Sequence, residues 1–136
     1  MTHEADGASI DYAALCEALT MLPPESRRRL VEEAAANGYA AKDLAELMQV
    51  SPPAVSRYLN GSLAPSIGAI CRLIMNIDPA TRSLLLQEAA REAWRLLQQL
   101  LDTLPSTPGI EELLTEIADK VSEKLTSIHL ARGETE

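Results

Sequence analysis

Leucine, isoleucine, valine, methionine and alanine recur along this chain at intervals of three and four, and no stretch alternates apolar with polar residues as a half-buried strand would. The pattern predicts helices throughout. Ile10, Leu15, Leu19 and Leu22 mark a first helix, which Pro23-Pro24 stops. A second begins at Pro24 or Glu25, shows Leu30, Val31, Ala34 and Ala35 on one face, and ends at Gly38. A third spans about 40–48. Residues 48–61, MQVSPPAVSRYLNG, then hold two prolines where a helix should start. Proline has no amide hydrogen and a φ fixed near the helical value, so a first turn accepts it. Ser51 becomes the N-cap and, since Pro52 and Pro53 offer no amide, Ala54 is the donor to its hydroxyl. Asn60-Gly61 closes this short helix, and a fifth follows from Ser66 or Ile67 to about Ile77.

Asp78-Pro79 opens a much longer helix, to about Leu104, with Leu86, Ala90, Ala93, Leu97, Leu100 and Leu104 alternately four and three apart. Such spacing makes a coiled-coil-like seam, with Trp94 beside it. PSTPG, residues 105–109, reads as a turn, and a last helix from Ile110 repeats the device with Leu114, Ala118, Val121, Leu125 and Ile128. The two seams can pack on each other as an antiparallel hairpin or face a second copy of the chain. MTHEADGAS at the start and ARGETE at the end are polar, and are expected to be frayed or disordered. The organisation expected is an N-terminal tail and helix (1–22), a central helical domain (23–78), a C-terminal helical hairpin that dimerises (79–131) and a tail (132–136).

Composition narrows the class. The 136 residues are 46% hydrophobic but only 3% aromatic, with no phenylalanine, so the core must be aliphatic and the fold all-α. No basic-then-apolar leader opens the chain, and its apolar runs fall short of the roughly 20 residues of a membrane span, so a cytoplasmic protein without membrane contact is expected. The net charge of −8 argues against unspecific nucleic-acid binding over the whole surface. Its distribution is uneven: residues 23–78 carry six basic and six acidic residues, and the acidic excess lies in the flanks. Cys16 and Cys71 lack CxxC or Cys/His metal spacing and sit among apolar residues, which predicts inert buried thiols, a disulfide being the alternative. Arg27, Arg28 and Arg29 read as a solvated face paired with Glu32 and Glu33, or else as a phosphate contact. His3 and His129 are far apart, no glycine-rich phosphate loop or nucleophile elbow occurs, and the carboxylates are spread along helix faces. Neither catalytic residues nor a metal or cofactor site is indicated.

The densest pattern lies at 41–59. Leu44 and Met48 form an inner stripe, Val50 plugs a corner, Val55 and Tyr58 form the next stripe, and Ala45 is small where the second helix crosses it. Two helices joined by so short a turn make a helix-turn-helix. DLAELMQVSPPAVSRYLNGSLAPS has a Leu-Ala pair in the first helix of this pair, Val-Ser before the second, Val-Ser-Arg-Tyr within it, Asn-Gly closing it and Pro-Ser starting the helix that follows. In these features the stretch 27–77 resembles the DNA-binding domain of the Cro and lambda-repressor type, the XRE family. The resemblance implies a lambda-repressor-like helix-turn-helix domain that binds double-stranded DNA, and because one such domain with a single strong base reader would bind weakly, a homodimer is expected. By position it assigns base reading to Pro52, Pro53, Ser56 and Arg57, and phosphate contact to Ala41, Lys42, Asn60 and Ser62.

Three positions depart from the family pattern. Gln49 stands where the corner usually has glycine, so either it takes a positive φ or the turn differs. Ala41 replaces the glutamine that commonly grips phosphate. Two reading positions are prolines, which offer a base only apolar contact and leave Arg57 as the strong reader. The function expected is a sequence-specific transcription regulator of repressor type. The alternative is a helical protein-binding adaptor whose helix-turn-helix is only structural.

Overall fold

Seven helices make up residues 10–133, which are those the computed structural model describes: α1 Tyr12–Leu19, α2 Pro24–Ala36, α3 Ala41–Met48, α4 Pro52–Asn60, α5 Ile67–Asn76, α6 Pro79–Thr103 and α7 Pro108–Ala131. The expected fraying of residues 1–9, the residue His3 and the last three residues of the tail lie outside this range. Short polar side chains set most of the helix starts. Asp11, Ser51, Ser66 and Thr107 each accept a hydrogen bond from the amide three residues on, at Ala14, Ala54, Ala69 and Ile110. Prolines occupy the first turns of α2, α4 and α7. Pro108 and Gly109, expected in a turn, are therefore the first helical residues of α7, by the device that starts α4. The first helix is shorter than its apolar pattern, because the chain turns out of it at Thr20.

The chain forms two compact units, Ile10–Leu97 and, among the described residues, 98–133. In the first, α2 to α5 surround an aliphatic core of Leu30, Val31, Leu44, Met48, Val55, Ile70, Leu73 and Ile74, all fully buried. α1 and the first part of α6 belong to this unit as well. Leu19 of α1, Leu22 just beyond it and Leu85 of α6 enter the core. Arg82 of α6 donates from Nε to the Ile74 carbonyl (2.7 Å) and from Nη2 to that of Ile77 (2.8 Å), satisfying the open end of α5, and its guanidinium lies 5.8 Å from the centre of the Tyr12 ring. Glu92, one face further along α6, accepts from Ser26 Oγ (3.0 Å) and pairs with Arg29 (3.6 Å) and Arg95.

The arginine triplet is thereby spent on structure. Arg27 caps the carbonyls of Leu22 (2.9 Å) and Pro65 (2.8 Å), Arg28 pairs with Glu25 and Glu32, and Arg29 turns to Glu92, not to Glu33. Cys16 and Cys71 also correct an expectation. They are half-buried, not buried, and they are joined as a disulfide between α1 and α5. Sequence spacing could not show this, because only the packing of α1 on α5 brings the pair together.

The second unit contains the end of α6, a short connection at 104–107, and α7. α7 has no buried residue. Its stripe stays open: Leu114, Val121, Leu125 and Ile128 are 40%, 53%, 50% and 38% exposed. Among the described residues no helix is long and apolar enough to cross a membrane.

Candidate nucleic-acid interface

The corner between α3 and α4 is where the backbone takes its least ordinary conformation. Gln49 sits at φ 59°, ψ 47°, the left-handed region that usually requires glycine, so the first of the two possibilities for this position holds. Its turn lets the Val50 amide reach the Ala45 carbonyl at 3.0 Å and drives the chain into Ser51, the cap of α4. Two side chains from α5 grip the same corner. Arg72 Nε donates to the Met48 carbonyl at 2.7 Å and Asn76 Nδ2 to that of Leu47 at 3.0 Å, filling acceptors that the end of α3 leaves open. Neither was singled out from the sequence. Their four-residue spacing, which places both on one face of α5, was the available signal.

Val55 and Tyr58 anchor α4 inward, and burial pushes the Tyr58 phenol upward in pKa, so this ring is core and not a stacking platform. The opposite face carries Pro52, Pro53, Ser56 and Arg57, all exposed. Helical geometry stacks Pro52 on Ser56 and Pro53 on Arg57, each pair four residues apart, and the two adjacent rows together make this side of α4.

The phosphate candidates divide into two groups. Ala41 and Lys42 open α3, whose N-cap Ala40 supplies no side-chain hydrogen bond, in contrast to the capped starts of α4 and α5. The first amides of α3 therefore point outward without a side-chain acceptor. Asn60 and Ser62 flank Gly61, which closes α4 at φ 87°. Here the Ser62 amide is already engaged, donating to the Arg57 carbonyl (3.0 Å) and to Asn60 Oδ1 (2.9 Å). What this turn keeps for a ligand is the Ser62 hydroxyl and the Asn60 side-chain amino group. Beneath it, Arg28 Nη1 donates to the Tyr58 carbonyl at 3.3 Å, tying α2 to the end of α4.

Lys42 and Arg57 are exposed, and among the described residues neither forms an ion pair. Asp43 and Glu46 are exposed on α3 as well, so the charge of this face is mixed.

Comparison with curated proteins and with solved structures gives no match. Comparison with protein families gives one, described as helix-turn-helix, over residues 31–75, about a third of the chain, from the middle of α2 to the end of α5. The segment that contains the left-handed corner, the proline-started helix and its exposed face is thus a helix-turn-helix of the Cro/C1 type, the XRE family of DNA-binding domains.

Proposed function

We propose that the protein is a dimeric, sequence-specific DNA-binding transcription regulator of repressor type that lays α4 in the major groove of double-stranded DNA. The exposed row of Pro52, Pro53, Ser56 and Arg57, on a helix held rigidly from behind by Val55 and Tyr58, supports this most directly. Arg57 reads a guanine through its O6 and N7, Ser56 adds an adaptable hydroxyl, and the prolines press on an apolar edge such as a thymine methyl. The Ala41 amide, Lys42, Asn60 and the Ser62 hydroxyl hold flanking phosphates. Sequence preference is correspondingly narrow.

One such face binds weakly, so a second copy is needed. The open stripe of α7 supplies the surface that joins the copies, and two recognition helices then meet half-sites one helical turn apart.

Arg57→Ala tests the reading. A bidentate base contact contributes about 1–3 kcal/mol, so affinity for a selected site should fall roughly 5- to 150-fold, with helicity and oligomeric state unchanged. Unchanged affinity by fluorescence anisotropy at fixed salt would sink the proposal. The open α7 stripe and the net charge of −8 also suit the adaptor reading, in which a partner's helix lies along the stripe. Titration against pooled fragments of the source genome at two salt concentrations separates the two. A shared inverted repeat with steep salt dependence supports the regulator, and no retention even at low salt supports the adaptor.

A further inference from the structure

Cys16 and Cys71 are 55 residues apart in the chain, yet their Cα atoms lie 5.6 Å apart. That distance is within the range a disulfide needs, and the packing of α1 on α5 sets it. Both residues are half-buried, so neither is sealed within the core.

α1 has little else to hold it. It has eight residues, too few to be helical alone in water, and within it only Leu19 is buried. Tyr12 and Leu15 are partly covered, and Leu22 follows just beyond the helix. Tyr12, Leu15, Cys16 and Leu19 form one stripe at helical spacing, so the cysteine lies in the middle of the face by which α1 docks. On the other side, Cys71 precedes Arg72, the residue that grips the corner of the helix-turn-helix.

We propose that Cys16 and Cys71 are a reversible thiol–disulfide site that decides whether α1 is held on the helix-turn-helix unit. In the oxidising direction, the thiolate of one cysteine attacks a sulfur of a low-molecular-weight disulfide, giving a mixed disulfide and releasing one thiol. The second cysteine then attacks the protein-bound sulfur, the Cys16–Cys71 bond forms, and the second thiol leaves. Two electrons pass to the acceptor disulfide and the two cysteine protons end on the released thiols. An external dithiol reverses the sequence. Reduced, α1 is left with Leu19 and its partly covered neighbours and opens before the rest of the unit does.

The test is hydrogen exchange on the full chain, equilibrated with oxidised glutathione or with dithiothreitol, beside Cys16→Ser in both reagents. Intact mass and alkylation report the pairing itself. Expected are closure of both thiols to alkylation after oxidation, and exchange at residues 12–22 at least about tenfold faster in the reduced protein while α3 and α4 keep their protection. Cys16→Ser, in which Cys71 can take up at most one glutathione, should exchange at residues 12–22 like reduced wild type in either reagent. The proposal is overturned if both thiols stay open to alkylation after oxidation, if α1 exchanges alike in the two states, or if α1 of Cys16→Ser still gains protection on oxidation. Simultaneous loss of protection in every helix on reduction would also overturn it, since the bond would then staple the whole unit and not α1.

Discussion

Gln49→Gly should make the protein more stable. Gln49 is the one non-glycine residue with positive φ among the described residues. A residue with a Cβ is disfavoured in the left-handed region by about 1–2 kcal/mol, because Cβ approaches the following carbonyl oxygen. Glycine has no such clash, but it loses about 0.5–1 kcal/mol more backbone entropy on folding than a residue with a side chain. The difference leaves a net gain of about 0.5–1 kcal/mol for Gln49→Gly, which for a unit the size of Ile10–Leu97 raises Tm by roughly 2–8 °C.

Two further substitutions isolate the cause. Gln49→Ala keeps the Cβ and removes only the exposed amide, so its stability should match wild type within about 0.5 kcal/mol. Gln49→Val adds a branch at Cβ and should be less stable than either. Urea denaturation followed by circular dichroism gives all three on one scale, with the slope against urea unchanged if the folded surface is the same. Should Gln49→Gly be less stable than wild type while Gln49→Ala is neutral, the corner is not strained by its Cβ and the reasoning fails.

Acid stability should depend on Asp78, whose carboxyl is held at about 2 against an ordinary 3.8, first by the hydrogen bond from Tyr39 and then by the Thr81 amide. A depressed folded pKa contributes stability that is present above the unfolded value and lost as pH falls through the folded one, so wild type should weaken between about pH 4 and pH 2 and Asp78→Asn should show a flatter urea midpoint over that window. Leu125→Glu places a charge in the α7 stripe and should convert a dimer to monomer in sedimentation equilibrium without loss of helicity; an unchanged mass would move the copy interface elsewhere.

The helices were legible because their ends rest on single residues with one physical role. Ser51 before two prolines allows only Ala54 as donor, and that bond is present at 3.3 Å. Leu44, Ala45, Met48, Val55 and Tyr58 face inward as their spacing required. Where the reading stopped short, the cause was long-range geometry. Nothing local in Arg27 says that it caps Leu22 and Pro65, whose carbonyls face it only once α2 has packed. Thr107 was different: its role was available from the sequence, since Pro108 repeats the arrangement of Ser51 and Pro52, but PSTPG is also a good turn by composition. Within the candidate interface, the identities of the exposed residues could be read in advance. The engaged state of the Ser62 amide could not, because it depends on how the turn after α4 closes.

The double proline and the acidic balance together bear on how such a domain must work. Proline at the first two positions of α4 removes two amides and two side-chain donors from the turn that the proposed docking would place nearest the bases. In exchange, φ is fixed there before any ligand arrives, so α4 loses little entropy on docking. Arg28, which could have joined a phosphate contact, is held by Glu25, Glu32 and the end of α4. Lys42 and Arg57 are the exposed cations left on α3 and α4, and Asp43 and Glu46 stand near them. A single copy therefore has a rigid reading head and weak electrostatic attraction. Rigid and weak units gain most from being linked, because the first contact sets the effective concentration of the second at little further entropic cost. If the proposed function holds, the apolar stripe of α7 should be as necessary to DNA binding as Arg57, although it lies outside the matched helix-turn-helix segment.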